Sequence, residues 1–198
     1  YLVFAGRAAR RHNASLAPDW SGVLSAAFTS GWLLIRSASL RAALIVLVSV
    51  ASVMGTVSLA AVQIAQTLFN SLALVLDSLA IAGQAMIGLY VGKDDTQKVH
   101  TVKTRLIVWG VGFGVVVGVV LAVVSPFVGR VFTSSPEVVS TVAVLVLILA
   151  LSMPLAGYVF TLDGILLGAS DARYLALAQF GAAAGFALLV WAAMGMSF

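Results

Sequence analysis

A chain of 198 residues that is 62% hydrophobic and only 9% charged, with a mean hydropathy of +1.12, carries more apolar surface than a core of its size can hide; soluble domains are about 25% charged. Lipid is therefore its solvent, and the sequence reads as an all-α polytopic membrane protein. A net charge of +4 is too small and scattered for a nucleic-acid footprint, and the lack of cysteine excludes disulfides, thiolate metal sites and a cysteine nucleophile from this chain.

A spanning helix needs about 20 apolar residues. Residues 1–6 read as the tail of an earlier helix, and 6–22 as a polar connection carrying Arg7, Arg10 and Arg11. The first span is expected over about 29–54, ending near Gly55. The second covers about 57–92; unbroken, it would be about 54 Å long against a hydrocarbon core of roughly 30 Å. It must tilt, bend or begin with an interfacial piece. "GKDDTQKVHTVK" (92–103) is a surface loop, and a third span over about 105–125 is expected to stop at Pro126. "SSPE" (134–137) opens a fourth, about 138–160, which Pro154 should kink or unwind. "DGILLGASDAR" (163–173) leads to a fifth, about 173–196. The chain thus divides into a connecting segment, 1–28, and a transmembrane lobe, 29–198.

Three Lys/Arg lie in 6–22, none at the 54–57 turn, four in 93–105, and one, Arg130, in 126–137; Arg173 follows the fourth span. The positive-inside bias puts the loops near 6–22 and 93–104 in the cytoplasm. No charged segment precedes an apolar stretch at the start, so no signal peptide is read. Tyr1 in place of Met, and an apolar run continuing to Phe198, read as a piece of a longer protein.

Within the second span the amide and acidic side chains are Gln63, Gln66, Asn70, Asp77 and Gln84. At 100° per residue all five fall in a sector of about 60°, bordered by Thr67, Ser71 and Ser78. Polar groups in a bilayer are costly and face a bundle interior or a watery cavity. A seam of interhelical hydrogen bonds explains the amides, but a carboxyl that can neutralise is better suited to carrying a proton or binding a cation. Asp77 is therefore the leading cavity residue, with Gln63, Gln66, Asn70 and Gln84 beside it. On the first span Ser30, Ser37, Arg41, Ser49, Ser52 and Thr56 share a sector of about 120°. This makes Arg41 a cavity charge of unknown partner. Arg36 lies on the other side and is expected to snorkel to the cytoplasmic interface.

Gly110, Gly114 and Gly118 form a G-x-x-x-G-x-x-x-G ridge suited to close helix packing. Asp163 either lines the cytoplasmic mouth of a cavity or caps the fourth helix, the structural role being preferred. Asp171 and Arg173 read as interfacial and capping charges, and His12 and His100 as solvated. No metal-ligand set, phosphate loop or nucleophile motif is present, so no catalytic residues, cofactor or metal is expected and the chain does not read as an enzyme.

Together, "LAAVQIAQTLFNSLALVLDSLAIAGQAMIGLYVGKDD" (59–95), "VFTSSPEV" (131–138) and "LDGILLGASDARYLALA" (162–178) resemble the multidrug and toxic compound extrusion (MATE) transporters, particularly their DinF-like bacterial branch. "GKDD" and "GASD" depart from that family's usual "GaGD" and "GAGD". The resemblance implies a twelve-helix fold of two six-helix lobes, of which this chain would supply the inter-lobe loop and five helices of the C-terminal lobe, stopping before the last. It implies export of organic, often cationic compounds in exchange for H+ or Na+ by alternating access, in a bacterial inner membrane. The partners would be lipid, the small-molecule substrate and the N-terminal lobe. In this branch the proton-coupling acid usually lies in the N-terminal lobe, so Asp77 is not assigned that role by resemblance. The rival readings are a lipid-linked saccharide flippase of the related superfamily, whose cavity should be strongly basic, and a structural membrane fragment without transport.

Overall fold

The computed structural model describes residues 20–195; the expectations for 1–19, including Arg7, Arg10, Arg11 and His12, lie outside the described residues. Five helices follow one another: α1 (Trp20–Val53), α2 (Thr56–Val91), α3 (Thr96–Phe132), α4 (Pro136–Gly168) and α5 (Ala172–Gly195). Each holds a stretch long and apolar enough to cross a membrane, and the described residues contain no strand. Large apolar side chains such as Trp109, Leu151 and Trp191 point outward, as lipid solvation requires.

The connections are short and locally encoded. Gly55 closes the α1–α2 turn at φ 107°, a conformation that only glycine adopts without strain. Pro136 begins α4, where its missing N–H costs no helical bond. Asp171 caps α5, its Oδ1 accepting from the Tyr174 N–H at 3.2 Å. Asp95 caps α3: its Oδ1 accepts from the Lys98 N–H at 3.1 Å, and its Oδ2 pairs with Lys98 Nζ at 2.9 Å. These Lys98 hydrogen bonds hold the Asp95 carboxyl below the usual carboxylate range. A depressed pKa contributes stability above the ordinary aspartate value, which is lost as pH falls through the lowered one. Amide exchange at residues 97–99 should therefore accelerate over intrinsic rates in that acid window. In Asp95→Ala it should already be fast at neutral pH.

Pro126, expected to end its helix, does not, and Pro154 does not unwind its own. α3 runs through Pro126 to Phe132 and α4 through Pro154 to Gly168. Pro126 removes the N–H that would bond the Ala122 carbonyl, but the Ser125 hydroxyl donates to that oxygen at 2.9 Å. Pro154 likewise frees the Ala150 carbonyl. That oxygen lies against the backbone of α3, where a methyl on Gly118 would sit 2.6 Å from it. Neighbouring groups re-satisfy or enclose the freed carbonyls, as proline-bearing membrane helices require.

α2, α3 and α4 form a closely packed unit in which α4 lies against both others, while α1 packs chiefly on α5. The α3–α4 seam is a glycine zipper. Gly110, Gly114, Gly118 and Gly129 are all buried; a Cβ on Gly110 would meet the Gly157 carbonyl oxygen at 2.7 Å, and one on Gly129 the Val139 Cα at 2.8 Å. Backbones this close maximise van der Waals contact where lipid offers no hydrophobic drive. Gly164 and Gly168 do the same for α4 on α2, against Ala80 and Gln84. A second core of Ala61, Leu121, Val142, Val146 and Met153 fills the interior of this unit.

Candidate functional site

α2 shows how the polar stripe is placed. Its buried positions are Ala61, Leu76, Ala80, Gly83 and Ile87, and their mean direction lies about 100° from that of the five polar residues at 100° per residue. The stripe therefore flanks the packed face. Gln63, Asn70, Asp77 and Gln84 are exposed and Gln66 is half-buried. Ser30, Ser37, Arg41, Ser49 and Ser52 of α1, and Thr56 at the start of α2, are exposed as well. Apart from the Gln84 backbone, on which Gly168 packs, neither polar sector is used to hold the described helices together. At one end Gln63 and Thr67 line a cavity of about 390 Å³ with Phe132 and Thr133. Ser78 faces a second, of about 310 Å³, walled by Trp109 and Phe113.

The charges are distributed differently from their sequence reading. Arg36 does not snorkel away: its guanidinium donates to Asp163 Oδ2 in an ion pair between α1 and α4. Both side chains are largely covered, at 24% and 17% exposure. The reason is level as well as face. Counted from the Gly55 turn, Arg36 lies about 19 residues back and Asp77 about 22 on, an axial offset of about 4.5 Å, and Asp163 joins that level because Gly164 beside it packs on Ala80, within one turn of Asp77. Arg36 also shares α1's packed side with the buried Ser39. Asp163 is not a helix cap either, since α4 continues to Gly168 beyond it. That contact of Gly164, next to Asp163, is with the Ala80 backbone of α2, three residues from Asp77. The structure thus brings Asp77, Asp163 and Arg36 into one region of the lobe. It leaves Arg41 exposed and, among the described residues, without an ion pair.

Part of Arg36's placement is legible in the sequence: the axial comparison applied to Arg41 and Asp77 sets Arg36 nearly level with Asp77, though it does not contain the pairing with Asp163. Arg173 lies over the Trp32 ring, 5.8 Å from its centroid, which ties the start of α5 to α1. His100 is exposed. No cluster of three metal-ligating side chains occurs among the described residues.

Five apolar helices with a flanking polar stripe and a largely covered Arg–Asp pair make this a multi-pass membrane protein. The MatE family profile matches residues 35–192, and the chain belongs to that family. Among characterised proteins it is 31% identical over 172 residues to "Protein DETOXIFICATION 45, chloroplastic" of Arabidopsis thaliana, covering 85% of this chain and 31% of that protein. It is 32% identical over 136 residues to "Protein DETOXIFICATION 43" of the same plant, covering 69% of this chain and 26% of that protein. The chain spans about a third or less of the relatives it matches. No solved structure matches it.

Proposed function

We propose that the chain is a transmembrane lobe of a secondary active transporter that exports small organic, often cationic compounds by alternating access, driven by H+ or Na+. The observation that carries this reading is the stripe from Gln63 to Gln84. A membrane helix has kept a row of amides and a carboxylate on a flank that packs against none of its own neighbours closely enough to bury them. In hydrocarbon such a row is unfavourable; beside a watery cavity closed by the remainder of the protein, an N-terminal lobe on this reading, it is a binding surface. Membership of the MatE family and the detoxification names of the relatives support transport over catalysis. The DinF-like branch and a bacterial inner membrane rest on the motifs at 59–95, 131–138 and 162–178, whereas the relatives named above are plant proteins. A flippase cavity should be strongly basic, and with Arg36 neutralised by Asp163 only Arg41 would serve it here. The test is flux of a fluorescent organic cation in vesicles holding the intact protein, under an imposed proton or sodium gradient. Gradient-dependent movement is expected, and equal leakage with and without either gradient would refute antiport.

A further inference from the structure

The five helices fall into two groups, and one side-chain pair joins them where backbone packing does not. α2, α3 and α4 are locked by glycines whose Cβ positions are occupied by a neighbour's backbone. Around Gly31, Gly181 and Gly185 of α1 and α5, a Cβ would meet nothing. Between the groups, α1 touches α2 and α4 touches α5 only sparsely, and α1 makes no close backbone approach to α4. Yet Arg36 of α1 reaches Asp163 of α4, the only ion pair linking two helices among the described residues.

The chemistry of that pair suits a joint that opens. A largely covered Arg or Asp without a partner is costly in a membrane protein, so each charge holds the other in place. The hold is incomplete, because the buried Arg36 Nε has no hydrogen-bond partner and the fork engages the carboxylate through Nη2 alone. Asp77 sits three residues from Ala80, on which Gly164 packs beside Asp163, so Asp163 is not the only anion near this joint. We propose that the Arg36–Asp163 pair is a releasable strut. Formed, it clamps the α1–α5 pair onto the α2–α3–α4 unit; broken, it lets α1 and α5 swing away together while the glycine-locked unit keeps its shape.

Spin labels test this, since the chain contains no cysteine and two introduced cysteines report one distance once any others in the intact protein are removed. Labels at the exposed Leu34 of α1 and Trp109 of α3 read across the joint; labels at the exposed Val119 of α3 and Leu151 of α4 read within the locked unit. In Arg36→Gln or Asp163→Asn the Leu34–Trp109 distribution should broaden and shift by about 5 Å, the rise of one helical turn, with Val119–Leu151 unchanged. Exchanging the charges, Arg36→Asp with Asp163→Arg, should restore the original distribution. Unchanged distances in the single variants would overturn the proposal, as would a shift in both label pairs together. Should the neutral variants fail to insert, Arg36→Lys replaces them, because an ammonium lacks the guanidinium's planar fork. Broadening confined to the cross-joint pair then supports the strut, and an unaltered distribution overturns it. The readout needs no transport, so it stands apart from the export reading.

Discussion

Replacing Asp77 by Asn should cut export in vesicles of the intact protein by ten- to a hundredfold, or shift its pH dependence, while leaving the protein folded. Asn keeps the shape and removes only the charge and the titratable proton. Asp77 is exposed and makes no hydrogen bond that holds two described helices together, so folding has little to lose. If the carboxylate meets a cationic substrate or a coupling ion, the loss is that of a charge-assisted hydrogen bond. Such a bond is worth about 1.5–3 kcal/mol, about ten- to a hundredfold in affinity. The neighbouring Asp163 does not substitute for it, because Arg36 already holds that carboxylate. Unchanged transport at every pH would remove Asp77 from the mechanism.

The second large effect is on stability and comes with its own control. Gly110→Ala places a methyl on the Thr161 hydroxyl and 2.7 Å from the Gly157 carbonyl oxygen. Thr161 is buried and its hydroxyl already donates to that carbonyl at 2.7 Å, so neither group can retreat cheaply. Overpacking of this kind costs about 1–3 kcal/mol, and Gly110→Leu should prevent α3 and α4 from docking. Two residues on, Gly112 faces outward with nothing within 4 Å of a would-be Cβ. Gly112→Ala should be neutral or stabilising by up to about 1 kcal/mol, the helix-propensity gain. Thermal unfolding in detergent compares the two, and equal melting points would contradict the zipper.

How much of this was legible in the sequence depends on which interaction set each feature. Apolar run length placed five helices because the bilayer imposes length directly, and the Gly110–Gly118 spacing named its face because helical period is local. The stripe on α2 was legible for the same reason. Helix ends were harder. Pro126 reads as a stop until Ser125 is seen donating to the freed carbonyl; the Ser-Pro dipeptide was a signal that went unused. Arg36 and Asp163 lie 127 residues apart in sequence. Their pairing depends on how α1 is rotated toward α4, a tertiary choice that periodicity within either helix does not contain. The same holds for the grouping of α1 with α5, whose faces carry no strong pattern because lipid contact and helix contact are both served by Leu, Val and Ala.

If the proposed function holds, the Gln63–Gln84 flank of α2 borders water rather than lipid. Single cysteines at Gln63, Asn70, Asp77 and Gln84, with Val116 and Val123 of α3 as equally exposed comparisons, can be challenged in membranes with a membrane-impermeant thiol reagent. Wet positions form the thiolate and react; positions in hydrocarbon do not. The stripe should label and the α3 positions should not, with transported compound slowing the reaction at residue 77. Labelling of neither set, or of both at the same rate, would contradict a cavity along α2.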